Sequence, residues 1–215
     1  GSKGVNKKHL KRYLSRILLI LLLVMNSIAS YGTHIFGGEL LYTHISGNTY
    51  KVTLTLYGDC GATNDIFQSL YIAKPNVNVY INDVLYQKRT FKVESAGVEV
   101  SPVCPEQIMN TTCNGGMLPG VKKFVYADTI TLSGPAKWRF IFTGNMNTTQ
   151  AGRSSNITNI SGGGSSVMQL EAALDNTNGN NSSPQYSTIP TPFYCVNVEE
   201  QYNHGAIDAD GDSLA

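Results

Sequence analysis

The sequence predicts an all-β fold, an antiparallel β-sandwich with long polar loops. Three observations predict it. Short apolar runs alternate with polar residues at a period of two along most of the chain. Gly, Pro, Asn and Ser separate those runs at short intervals, and no convincing helical period occurs after Gly32.

The first element is a leader. Residues 7–16 form a basic run, Ile17 to Met25 are nine unbroken apolar residues, and small and polar residues follow to Gly32. This is the three-part layout of a secretory signal peptide, predicted as a helical segment over 1–32, with Gly1-Ser2 read as a vector-derived remnant. An apolar run of nine is less than half the roughly 20 residues that a bilayer-spanning helix needs. Ser30 and Gly32, or Ser27 and Ala29, supply the small residues for cleavage. The mature chain is therefore expected to be exported and not to span a membrane.

Strands are expected at Glu39–Ile45 and Tyr50–Tyr57, with Ser46-Gly47-Asn48 turning the chain between them. Tyr50, Val52, Leu54 and Leu56 share one face of the second strand, while Lys51, Thr53 and Thr55 share the other. Further short strands are expected at Val77–Ile81, Val84–Tyr86, Thr90–Val93, Phe124–Leu132, Trp138–Thr143, Val167–Leu174 and Phe193–Val198. Asn145–Ser166 and Asn176–Pro184 read as surface loops. Many short strands joined by polar turns fit an immunoglobulin- or cadherin-like sandwich. The expected organisation is a leader over 1–32, an N-terminal β-domain over 33–199, and the start of a second cadherin-like module over 200–215.

Charge narrows the function. The 16 Lys and Arg nearly balance the 15 Asp and Glu, but six of the cations and none of the acids lie in residues 1–32. The rest has ten cations against fifteen acids, a net −5 with no footprint for a phosphate backbone, so nucleic-acid binding is excluded. Only 14% of residues are charged, while 41% are hydrophobic, enough for a real core.

All four cysteines, Cys60, Cys104, Cys113 and Cys195, follow the leader, and none forms the close pair that zinc sites favour. Two disulfides are expected in an oxidising compartment. Of the three possible connectivities the reading favours Cys104–Cys113 as a short staple, with Cys60 tied to Cys195. Asp208, Asp210 and Asp212 put three carboxylates within five residues, which a hard cation would relieve, so they are candidate calcium ligands. The alternative is a solvated turn that uses Asp and Gly for their conformational tolerance. Catalysis finds no constellation: Gly211-Asp212-Ser213-Leu214 spells an esterase nucleophile block outside its α/β context, and His34, His44 and His204 are scattered.

Four segments carry a resemblance. Thr33-His34-Ile35-Phe36-Gly37-Gly38-Glu39 is similar to THIVGGE; Tyr57-Gly58-Asp59-Cys60 to Tyr-Arg-Asp-Cys; Cys113–Gly116 with Leu118–Lys123 to CNGG…LPGV; and Asn203–Leu214 to NHGAxDPDGDSL. In that order they resemble the N-terminal region of large Bacteroidetes surface proteins of the gliding-motility-associated, type IX secretion sorting-domain kind. That pattern sets adjacent cysteines after the Trp strand, where this chain has Thr143-Gly144-Asn145. The resemblance implies an extracellular structural or adhesive domain of a modular protein, meeting a protein or glycan ligand and doing no catalysis of its own. The alternative is a carbohydrate-binding module of a secreted hydrolase, for which Trp138 and several Tyr would have to line one open face.

Overall fold

The computed structural model describes residues 35–60, 75–143, 168–189, 197, 199, 201, 203 and 205–211. The chain divides after Tyr31, and every described residue lies on the C-terminal side of that division. The predicted leader, the Asn145–Ser166 loop and the Phe193–Val198 strand lie outside the description, apart from single positions.

The strands are β1 (Ile35–Ser46), β2 (Thr49–Asp59), β3 (Asn76–Ile81), β4 (Val84–Thr90), β5 (Lys92–Glu99), β6 (Val121–Thr131), β7 (Lys137–Thr143), β8 (Gln169–Asp175), β9 (Gln185–Tyr186) and β10 (Ala206–Ile207). They form one four-stranded sheet in the order β1-β2-β6-β5, a second in the order β4-β3-β7-β8, and the ribbon β10-β9. Every strand pair is antiparallel. The all-β sandwich read from the sequence is thus what the chain forms. Lettered A to G, with β4 as C′, the two sheets read A-B-E-D and C′-C-F-G, the Greek-key order of immunoglobulin-like sandwiches.

Period-two patterning builds the core. Tyr50, Val52, Leu54 and Leu56 of β2 are all fully buried, and Phe124, Tyr126 and Ile130 of β6 join them from the same face. Opposite stand Val77 and Val79 of β3, Trp138, Phe140 and Phe142 of β7, and Leu174 of β8, all in the same cluster. Burying each large side chain contributes about 1.5–3 kcal/mol. An ion pair crosses between the sheets: Arg89 of β4 meets Asp128 of β6 at 2.6 Å.

The turns follow local chemistry. Ser46 pairs with Thr49 around Gly47-Asn48, as the sequence predicted. The β3–β4 hairpin closes on Asn82 and Asp83, at φ +46° and +67°, the left-handed values of a tight two-residue turn.

Two expectations change. The Asn176–Pro184 stretch is not a plain surface loop, because Asn176, Ser182 and Ser183 are buried. Ser183 N–H donates to the Tyr42 carbonyl at 2.9 Å, its Oγ accepts from Tyr42 N–H at 2.9 Å, and Ser182 Oγ accepts from His44 N–H at 3.2 Å. Polar residues thereby satisfy the outer edge of β1, a role that composition cannot distinguish from a solvated loop. The second change concerns the cysteines.

Candidate functional site

The cysteines pair differently from the sequence reading. Cys60 is bonded to Cys113, with Cα atoms 4.6 Å apart, and Cys104 is an exposed free thiol. The expected Cys104–Cys113 and Cys60–Cys195 bridges are therefore corrected; Cys195 itself is outside the described residues. The reason is sheet register. β2 and β6 are neighbours, with Asp59 opposite Val121, so Cys60 emerges beside Gly120 and its N–H donates to the Gly120 carbonyl at 3.2 Å. Gly120 packs against Cys113 so closely that a Cβ there would lie 2.7 Å from Cys113 Sγ. Cys104 is held apart by a short 3-10 helix, Pro105–Asn110, followed by a second over Thr112–Asn114.

The stapled segment from Glu99 to Val121 is a compact knot around one carboxylate. Glu99 Oε1 accepts from Ser101 Oγ and from Thr111 Oγ1, both at 2.6 Å, and Oε2 accepts from Asn114 Nδ2 at 2.9 Å. Partial burial pushes the Glu99 carboxyl up, but these hydrogen bonds and the Lys122 charge outweigh it and hold it below its ordinary value. Thr111 is fully buried, and Ser101 Oγ also accepts from Val121 N–H at 3.0 Å. A Cβ at Gly116 would collide with the Asn110 carbonyl, so glycine is needed for the two arms to close. Leu118 N–H then donates to Asn110 O at 2.9 Å, which brings Met109 and Met117 to one end of the knot, both exposed. Sequence reasoning missed Glu99, Thr111 and Asn114; only the glycines and Cys113 gave a signal.

Of the candidate calcium ligands, Asp208 and Asp210 are described and Asp212 is not. Asp210 is already used: Ser182 N–H donates to its Oδ2 at 2.5 Å, with Ser182 Oγ at 3.4 Å from Oδ1. Asp208 Oδ1 accepts from Asp210 N–H at 2.9 Å, a local turn. No group of three or more His, Cys, Asp or Glu converges among the described residues. Calcium takes six to eight oxygens, of which the described residues place these two carboxylates, while Asp212 lies outside the description. Asp210 instead fastens 205–211 to the β-domain, where Ala206 and Ile207 pair with Tyr186 and Gln185. Together with Asp208 it lies near Tyr42, whose hydroxyl is pushed up to about 12 by burial first, then by Tyr50 and these two acids.

Trp138 is 1% exposed, its Nε1–H donating to the Gly134 carbonyl at 3.2 Å, with the Tyr86 ring edge-on at 5.3 Å. Beside it on the outer face Arg139 forks onto Glu171 at 2.5 and 2.9 Å and reaches Asp83 at 2.7 Å. His44 Nε2 lies 2.9 Å from the Gly47 carbonyl and the ring packs on Tyr50, a turn-closing role; His34, His204 and Ser213 are not described.

Among the described residues no helix is long and apolar enough to cross a membrane. Comparison of the chain with protein-family models, with curated proteins and with solved structures gives no match.

Proposed function

We propose that the chain is an extracellular structural or adhesive β-domain of a modular cell-surface or secreted bacterial protein, exported by its leader and without catalysis of its own. The observation that carries this reading is the burial of Trp138. Sugar sites on β-sandwiches usually present exposed aromatic rings, and the sole Trp of this chain is spent in the core, as are Tyr42, Tyr50 and Tyr126, while Tyr86 and Tyr186 are partly exposed. The Glu99 knot favours adhesion over a purely structural role. It holds Met109 and Met117 outward on a hydrogen-bonded, disulfide-anchored frame, and preorganisation of that kind lowers the entropy lost on meeting a protein partner.

The test against the carbohydrate alternative is titration of the exported protein with soluble polysaccharides, read by Trp138 emission and by affinity electrophoresis. The adhesive reading expects no retardation and no spectral change. Retardation abolished by Tyr86→Ala would favour the binding module instead.

A further inference from the structure

Three of the four sheet edges carry a feature that discourages pairing with another chain. Ser182 and Ser183 cover β1, two register shifts interrupt β5, and β8 carries the acids Glu171 and Asp175. β4 carries a register shift as well, but it pairs only with β3 among the described strands, and Val84, Leu85 and Tyr86 are 67%, 54% and 43% exposed. Three consecutive exposed apolar residues on a sheet edge form a template for a further strand.

We propose that β4 is a self-association edge, pairing antiparallel with β4 of a second copy of this chain. The strand and the turn before it carry both halves of the contact. An acid, Asp83, precedes the apolar triplet, and a base, Lys88, follows it. Antiparallel alignment of two identical strands brings the acidic end of each toward the basic end of the other.

The register is set by the β3–β4 ladder. Leu85 lies opposite Tyr80 and Lys88 opposite Asn78, on the outer face, while Val84 and Arg89 lie opposite the inward Ile81 and Val77. Placing Leu85 against Lys88 of the second copy keeps outer residues with outer ones and sets Val84 against Arg89 and Tyr86 against Gln87. No like charges then face each other, and each Asp83, in the turn that leads into β4, comes to the end of the partner strand that carries Lys88. The Asp83 side chain is 77% exposed even while Oδ1 holds Arg139. Lys88 discourages a generic extended partner but not this one, which supplies the opposing acid. The contact is isologous and uses both exposed edges, so it closes at a dimer. It is independent of the functional reading above.

The test is sedimentation velocity of the exported protein over a wide concentration range at low and high salt, with hydrogen exchange of the β4 amides on the same samples. The proposal expects a dimer weakened by salt, and β4 amides protected at high concentration but not at low. Leu85→Lys and Lys88→Glu should each weaken it at least about tenfold, about 1.4 kcal/mol, with Trp138 emission unchanged. A monomer at every concentration overturns the proposal, including one whose β4 captures a strand of another protein. So does a dimer that both substitutions leave intact, or an open polymer.

Discussion

Cys60 and Cys113, 53 residues apart in the chain, are covalently joined where the end of β2 meets the Glu99 knot. Closing a loop of that length restricts the unfolded chain by about 4 kcal/mol on the chain-entropy account. Replacing both by Ala should cost about that much in chemical denaturation, whereas Cys104→Ser should change little. Non-reducing peptide mapping should link Cys60 to Cys113, and Cys104 should alkylate in the native protein.

Ser183 closes the outer edge of β1 through two bonds to Tyr42 and one from it. Ser183→Ala strands the buried Tyr42 N–H, at a cost of about 1–3 kcal/mol. Hydrogen exchange at Tyr42 should accelerate, more than at Leu54 in the sheet centre. Equal protection in both proteins would mean that the serine contributes nothing to the edge.

Asp128 lies mostly buried between the sheets with Arg89 as its counter-ion, and the Arg89 side chain remains 37% exposed. Asp128→Ala should therefore cost about 1–2 kcal/mol, less than a fully buried pair would. Leucine at 128 with methionine at 89 should recover most of that loss, since it removes the unpaired charge. Urea unfolding of Asp128→Leu, Arg89→Met and the double variant completes the cycle.

Two carboxylates give the stability opposite dependences on pH. Glu99 is held below its ordinary value in the folded state, so its contribution is present above the unfolded value of about 4.3 and is lost as pH falls through the folded one. Glu39 is pushed up by burial, only partly countered by the Tyr57 hydrogen bond and Lys123, so its ionisation opposes folding at neutral pH and that cost vanishes in acid. Glu99→Gln should flatten the fall in unfolding midpoint between about pH 5 and pH 3, and Glu39→Gln should raise the midpoint at pH 7. Identical pH profiles for wild type and both variants would contradict the assignment.

Much of the sandwich was legible because it rests on local alternation. The face Tyr50, Val52, Leu54 and Leu56 and the turn at Ser46–Asn48 were both readable from adjacent residues, and both are found. What was not legible depends on register between distant strands. Nothing in the spacing of Cys60, Cys104 and Cys113 shows that β2 runs beside β6, yet that pairing sets Cys60 beside Gly120, which packs on Cys113. Ser182, Ser183 and Asn176 read as loop residues because burial of a hydroxyl or amide depends on which backbone it meets. The hydrogen bond from Ser182 N–H to Asp210 is likewise invisible in sequence.

The central proposal is that this domain serves attachment and not sugar recognition. Its most direct test is deletion of residues 33–199 from the protein in the cells that make it, at matched expression levels, with cells retained on a surface counted under flow. The account predicts a several-fold fall in retained cells with polysaccharide degradation unchanged. Unchanged retention together with a fall in polysaccharide degradation would contradict it.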